Sequence, residues 1–567
     1  MYEQVLAPLD LYLDELKEKH AQNVSAFFDT LVQKSGVNER ENAETVAVYE
    51  NYLTEIRTRQ DSAESKKSKR NLAVFFIVCA CIIGIFLVCG LIRLPAFRVV
   101  VLLALCGVAI FGICKICKSI NAEIRTLDTQ IAELSNKANE VLRTAEIQMS
   151  PLHCLFTDYD ALDLVHQTFP CVQFDRYFTG ARLQDLQAFD YFPRSDLQEC
   201  MVGVLSGEMY GYPFLFESYR KHTLGSCTYT GSLTIRWTTQ ERNSQGETVT
   251  RSHTQTLRAS IVRPKPYYNT HTCLHYGHEC MPNLYFSRIN KHAEDKSETQ
   301  LKRTLKKGEK QLQRLTQKQL KADKNFTEVL NTEFEVLFGA TNRNDELAFR
   351  YLFTPNAQEE MLKLLLYADG YGDDFDFVKD KKRNTIYSEH TQSNGISTST
   401  AYYYSHNFSE VKKKFYDFNN EFFKSVYFDF APLLTISAYQ DPREKMVTLN
   451  QNDLCAYNYE ILADKLKEYI LPREAIYECI CKTSLLEKQD GKELVSITAY
   501  GYTAHERVHY ESVYGEDGNW HSVPVAWTEY IPIHTNKKML IEYAKKGETP
   551  DMNKPFVYYQ GVYAYIL

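Results

Sequence analysis

Two short stretches carry residues whose types and spacing suit chemistry. In "TAHERVHYES", residues 503–512, His505, Glu506 and His509 stand in the order H-E-x-x-H. On a helix that order lets two His ligate zinc while the Glu activates water. Four helical residues advance about 6 Å and return to one face, so both imidazoles reach one ion. The flanking residues argue for a strand instead. Tyr500, Tyr502, Ala504 and Val508 alternate among β-formers, and Gly501 opposes a helix. In a strand the same four residues span about 13 Å, too far for two metal bonds of about 2.1 Å. The pattern predicts strand histidines, with His521 or Glu511 as the nearest candidates for a third ligand.

The second stretch is "HTCLHYGHECMPN", with His271, Cys273, His275, His278 and Cys280 within ten residues. Alternation places His271, Cys273 and His275 on one side of a strand, and a turn at Gly277 would return His278 and Cys280 to them. These are zinc ligands of the right type, although the spacing is not that of a zinc finger. They are the candidate metal residues, with zinc the ion they would suit; no other cofactor is implied. The acidic run "DGYGDDFDF", with Asp369, Asp373, Asp374 and Asp376, lacks calcium-loop spacing and its closing Glu, and reads as a turn. Cys479 and Cys481 are one residue apart, unlike a C-x-x-C redox pair. Walker, G-x-S-x-G and dinucleotide fingerprints are absent from the sequence.

The elements that must position these residues are more legible than the chemistry. A chain of 567 residues exceeds one ordinary domain, and 39 Tyr with 31 Phe favour packed, strand-rich structure. A net charge of −7 gives no global reason to expect nucleic acid as a partner. The 15 Cys show no disulfide framework; Cys79, Cys81, Cys89, Cys106 and Cys114 lie inside apolar runs as small hydrophobes.

Residues 71–92, NLAVFFIVCACIIGIFLVCGLI, carry no charge, and after Pro95 and Arg98 a second apolar run begins. Each approaches the roughly 20 residues that cross a bilayer core. This predicts a transmembrane hairpin over 71–117, with spans at 71–92 and 97–117. Lys66, Lys67, Lys69, Arg70, Lys115 and Lys118 flank it, so the positive-inside rule sets both termini in the cytoplasm of a two-span cell-membrane protein.

Beyond the second run, Ile120, Ile124, Leu127, Ile131, Leu134, Ala138, Val141 and Ala145 form a heptad seam. Before the first, Val46, Tyr49, Leu53, Ile56 and Ala63 form another, with Gln60 as an interruption. The two predict an antiparallel coiled-coil stalk, and the same seams allow a homo-oligomer. Leu9, Leu13, Leu16, Val24, Phe27 and Leu31 line one face of an earlier helix that Gly36 breaks.

The rest divides into a β-rich part over 149–290, a charged helical connector over 291–330 and an α+β part over 331–567. Period-two alternation in CTYTGSLTIRWTT and SHTQTLRASIVRP predicts a long β-hairpin. Another is predicted from Leu494 on, around GEDGN. Between them, "NTEFEVLFGATNRNDELAFRYLF" reads as strand and turn before a helix begun at Pro355, and 404–430 reads as helix.

The stretch "NTEFEVLFGATNRNDELAFRYLFTPNAQEEMLKL", residues 331–364, resembles the domain of unknown function numbered 3137, found in bacterial membrane proteins with two spans near the N-terminus. "FDRYFTGARLQDLQ" and "PFLFES" fall where that family has comparable stretches, and the resemblance covers roughly residues 70–390. It implies architecture and no activity.

The expectation is an α+β protein: N-terminal helices, a transmembrane hairpin with a stalk, and a cytoplasmic region of antiparallel sheet with helices. As a function it suggests a membrane-anchored binding or scaffolding module without catalysis, its partners the lipid bilayer and another protein. The alternative is a metal-dependent hydrolase built on His505, Glu506 and His509 or on residues 271–280. Local conformation at 503–512 discriminates between the two.

Overall fold

The computed structural model describes residues 4–88, 96–242, 247–321, 329–444, 447, 453–476, 478–489, 491–544 and 554–567. The chain folds as two units. One comprises Ala21–Asp158 and Ser399–Asn419; the other comprises Met1–His20, Tyr159–Thr398 and Asn420–Leu567.

The helical unit is built on two long helices, Glu39–Val88 and Ala96–His153. Their heptad seams meet as the spacing predicts. Ile56, Leu134 and Ala138 are buried together, with Tyr49, Tyr52 and Ile131 against them. Arg59 Nη1 donates to Gln130 Oε1 at 3.2 Å, and Gln148 Nε2 to Thr45 Oγ1 at 3.0 Å, so the helices run antiparallel. The seams are thus occupied within one chain. Beside the start of the first long helix, Phe28 packs on Phe408 and Phe415, and Asn42 Nδ2 donates to the His406 carbonyl at 3.0 Å.

The membrane expectation is corrected here. Among the described residues no helix is long and apolar enough to cross a membrane. The spans at 71–92 and 97–117, the cell-membrane location with cytoplasmic termini and the transmembrane class are therefore withdrawn. The first run is the end of a continuous 50-residue helix that opens with a charged, heptad-patterned stretch. Its remainder, with the connection at Pro95, lies outside the described residues. Leu72, Phe75, Phe76, Leu105, Val108 and Phe111 stand exposed along the pair.

The second unit holds two antiparallel sheets. The first has seven strands: β1 (Val172–Phe174), β2 (Glu199–Met209), β3 (Tyr212–Arg242), β4 (Thr248–Gly277), β5 (Tyr285–Arg288), β6 (Phe375–Asp380) and β7 (Arg383–Ser388). Their order is β1-β2-β3-β4-β7-β6-β5. β6 and β7 pair back onto this sheet across the charged helix Glu298–Lys321, so the sheet does not stop at residue 290. The second sheet contains β8 (Ile480–Gln489), β9 (Lys492–Tyr514), β10 (Trp520–Tyr543), β11 (Phe556–Tyr559) and β12 (Val562–Ile566) in the order β11-β12-β10-β9-β8. The helix Ala456–Lys465 covers it through Leu462, Ala463, Val495, Ile497 and Ala499, all fully buried.

The predicted hairpins are the longest strands of the molecule. β2 pairs with β3 only as far as Lys221, and beyond that point β3 and β4 continue as a two-stranded ribbon. β9 and β10 likewise run on past Tyr500, which pairs with Ile480, the first residue of β8. The two ribbons pack on each other through Ile235, Leu257 and Val523, with Leu233, Trp237, Ala259 and Val513 alongside. Gly231 makes the close approach: a Cβ there would lie 2.0 Å from the Pro524 carbonyl oxygen. Two stacked ribbons bury the face that one hairpin alone would leave wet.

Two readings of the second unit are corrected. ELAFRYL, read as turn before Pro355, is the helix Glu346–Leu352, begun where the Asp345 side chain accepts from Leu347 N and Ala348 N. TEFEVLF is a helix, Thr332–Phe338, not a strand. The Asn331 side chain accepts from Phe334 N at its start, and Gly339 closes it at φ 73°. Those are ordinary helix caps, and they override the β preference of Phe and Val.

Candidate functional site

The H-E-x-x-H stretch lies within β9, as its alternation predicts. His505 Nε2 meets Thr503 Oγ1 at 3.1 Å, and His509 Nε2 meets Glu511 Oε1 at 3.1 Å. Glu506 points to the opposite face. His521 is held by Asp517 at 2.9 Å. Among the described residues His505, Glu506, His509, Glu511 and His521 form no group whose ligand atoms converge on one point, and the zinc-peptidase geometry is absent.

The Cys/His stretch divides in two. Cys273 and His275 sit on one face of β4, both buried. His271 is on the same side but half-buried against Tyr219. His278 and Cys280 lie elsewhere, near Lys379 and between the rings of Tyr212 and Tyr439. The backbone N–H of Cys280 donates to His278 Nδ1 at 3.0 Å. Burial first, then Lys379, holds the His278 imidazole down at about 3. The turn after Gly277 therefore does not return this pair to Cys273.

What joins Cys273 and His275 is Glu217, directly across the ladder from Cys273 on β3. Glu217 Oε1 accepts from Arg194 Nε at 2.8 Å, Arg194 Nη2 at 2.8 Å and His275 Nε2 at 3.0 Å. Oε2 accepts from the Tyr191 hydroxyl at 2.6 Å, which also meets the Tyr457 hydroxyl at 2.8 Å. His275 Nδ1 faces Thr385 Oγ1 at 3.1 Å. Burial alone would push the Glu217 carboxyl up; His275, Arg194 and Tyr191 outweigh it and hold the group at about 2. Burial and the adjacent carboxylate push the Cys273 thiol well above its ordinary value, so it is not a nucleophile.

The donor spacing around this cluster suits an ion. Cys273 Sγ is 3.4 Å from His275 Nε2 and 3.8 Å from Glu217 Oε1, near the edges of a tetrahedron with metal bonds of about 2.1–2.3 Å. The electrostatics oppose one. Oε1 already receives three N–H donors, two of them from a guanidinium that an ion would face at close range. A closed hydrogen-bond network accounts for every donor without a metal. Elemental analysis of the purified chain is expected to find zinc well below one equivalent. A full equivalent, lost on Cys273→Ala with His275→Ala, would reverse this assignment.

A second sealed network went unseen in the sequence. His390 Nδ1 meets Asp374 Oδ2 at 2.6 Å, and its Nε2 lies 3.1 Å from the Ser425 carbonyl and 3.5 Å from Asp429 Oδ1. Asp429 accepts the hydroxyls of Ser388 and Thr391, each at 2.5 Å. The acidic run is likewise structural. Asp373 is buried against Arg288 and accepts Lys291 N at 3.1 Å, while Asp376 accepts Asn290 N at 2.8 Å.

The chemically expressive surface is the tip of the β9–β10 ribbon. Tyr514 and Trp520 face each other across the ladder, 5.5 Å apart edge to face. Tyr510 pairs with Pro524 and Val508 with Ala526 on the same side. Trp520 is 70 % exposed, Tyr510 63 %, Tyr514 58 % and Val508 54 %. Ser512 and Ser522 complete a stripe with no charge in it. Comparison of the chain with known protein families, with curated proteins and with solved structures found no match.

Proposed function

We propose that this chain is a binding module without catalysis, and that the stacked β-ribbons are its docking arm for a second polypeptide. The observation that carries the reading is the uncharged stripe of Val508, Tyr510, Tyr514 and Trp520. Tyr and Trp supply large contact area at low cost in side-chain entropy and are enriched where proteins meet. A run of large exposed aromatic side chains without interleaved charge is unusual on a surface that touches only water. The polar clusters support the same reading from the other side: Glu217 and His390 spend their hydrogen-bonding capacity on their own chain.

The test places a photo-crosslinking phenylalanine analogue at Tyr510 or Trp520 in the full chain, within the cells that produce it. The control position is Ser260, exposed on the β4 ribbon. The expected result is a discrete protein adduct from 510 and 520, lost when the other stripe position is changed to Ser. No adduct, or the same diffuse products as from Ser260, would remove the arm as a docking element.

A further inference from the structure

We propose that Cys479 and Cys481 form a redox-active dithiol that closes to an intramolecular disulfide on oxidation by a peroxide. Neither residue belongs to the docking surface or the Glu217 network. Their sulfurs are 3.6 Å apart, side by side at the start of β8, and disulfide formation brings them closer by about 1.5 Å. Both are free and buried.

Two buried cysteines can be simple core filling, but these have a polar wall. The Arg220 Nη1 donates to the Cys479 carbonyl at 3.3 Å and pairs with Asp464, which Lys467 also approaches at 3.4 Å. The Arg220, Asp464 and Lys467 side chains retain 11 %, 12 % and 22 % exposure, so this ion-pair seam runs from the Cys479 carbonyl to solvent. A small uncharged oxidant can follow such a seam where a bulky reagent cannot.

The seam also assigns the two roles. The two sulfurs share one S–H hydrogen bond, and either can donate it; the Arg220 guanidinium, seated on the Cys479 carbonyl, lies on the Cys479 side of the pair. Cys481 lies two residues further on, within β8 and fully buried, where the neighbouring Cys479 sulfur and burial push its thiol up. The guanidinium beside Cys479 favours the thiolate there, which makes Cys479 the attacking sulfur and Cys481 the resolving thiol. In the first step the Cys479 sulfur forms an S–O bond with hydrogen peroxide, the O–O bond breaks, and the leaving hydroxide takes a proton as water. In the second, the Cys481 sulfur attacks that sulfenic acid, the S–S bond forms, the S–O bond breaks, and a second water leaves. Two thiols and one peroxide become one disulfide and two waters, the dithiol giving up two electrons.

Trypsin releases both residues in one peptide, Glu474–Lys482, because Arg473 precedes it and Lys482 ends it. The native full chain is treated with graded hydrogen peroxide, quenched, unfolded, alkylated with a maleimide, digested and weighed. Cys154, exposed, and Cys227, half-buried, serve as internal gauges of the dose. The expected result is a peptide lighter by about 2 Da, carrying no maleimide, at doses that leave Cys154 and Cys227 alkylated. Dithiothreitol should restore two maleimide additions. In Cys481→Ser the reaction should stop at a sulfenic acid on Cys479 that dimedone traps, while Cys200→Ser should leave the disulfide unchanged. Two maleimides on the peptide at a dose that has oxidised Cys154 and Cys227 would overturn the proposal. So would sulfinic acid at Cys479 in the unaltered chain, and because both readings use that chain, a poorly folding variant does not blunt the test.

Discussion

Replacing Glu217 with alanine is expected to destabilise the β-rich unit by about 3–5 kcal/mol, the range for breaking a buried ion pair from one side. The side chain is 1 % exposed and is the common acceptor of Arg194, His275 and Tyr191. Alanine takes the carboxylate from all three: the imidazole N–H loses its acceptor and the guanidinium its buried counter-charge, while Arg194 keeps Glu199 at 3.2 Å and the Tyr191 hydroxyl keeps Tyr457 at 2.8 Å. At about 2.1 cal/mol/K of unfolding entropy per residue, and for a unit of roughly 400 residues, the loss amounts to roughly 4–6 °C in thermal midpoint. Glu217→Gln should fall between, because the amide oxygen can still accept from Tyr191 while the charge facing Arg194 is gone. The pH dependence has a definite sign. The carboxyl is held at about 2, below its ordinary 4.5, so the folded state binds fewer protons than the unfolded one. Its contribution is complete above about 4.5 and is lost as pH falls toward 2. Melting curves of the three proteins at pH 7 and pH 3 decide the matter: the gap between wild type and Glu217→Ala should narrow in acid. A midpoint for Glu217→Ala within a degree of wild type at pH 7 would mean that the network is not a structural anchor.

That network shows where sequence reading stops. Alternation is local, so the strand character of residues 503–512 and the long β3–β4 hairpin could be read from a dozen residues each. So could the heptad seam joining Ile56 to Leu134 and Ala138, because the period itself identifies the partner face. Glu217 lies 56 residues before Cys273, and only the register of the hairpin sets them side by side. Nothing in the spacing of "HTCLHYGHEC" points to it. The division of that stretch at Gly277 also depends on an outside element, since β7 pairs with β4 up to that residue. The helix Thr332–Phe338 is a different kind of miss. Its signals, Asn331 and Gly339, stand in the sequence, and as caps they outweigh the β preference of Phe334, Val336 and Phe338. Apolar run length is weaker evidence still. A charge-free stretch at the end of a long helix has the composition of a span, and the described part of the helix Glu39–Val88 does not reach the length and apolarity that a span requires.

His390 should make the second unit lose stability as pH rises through neutrality, and His390→Asn should abolish that dependence. Its imidazole is enclosed from every side. Asp374 lies in the segment before β6, Asp429 and the Ser425 carbonyl are on the helix Phe408–Leu434, and Tyr371 stacks on the ring at 3.8 Å. Tyr371 in turn meets Glu421 and Lys424 at its outer side. Burial alone would lower the imidazole from its ordinary 6.5; Asp429 and Asp374 outweigh it and raise it. Burial pushes the Asp429 carboxyl up, against the pull of His390, Ser388 and Thr391. Both shifts mean that the folded state binds more protons than the unfolded one, so both act in the same direction. The His390 contribution is fully present below 6.5 and is lost as pH climbs through its higher folded value; the Asp429 window lies further into acid. Losing the cation between two buried carboxylates is expected to cost about 3–5 kcal/mol at low pH. The measurement is the difference in thermal midpoint between wild type and His390→Asn from pH 5.5 to 9, in which groups common to both proteins cancel. That difference should be largest at the acid end and shrink with rising pH. A constant difference would show that His390 is neutral throughout, and that Asp374 and Asp429 are held by their hydroxyl and backbone donors alone.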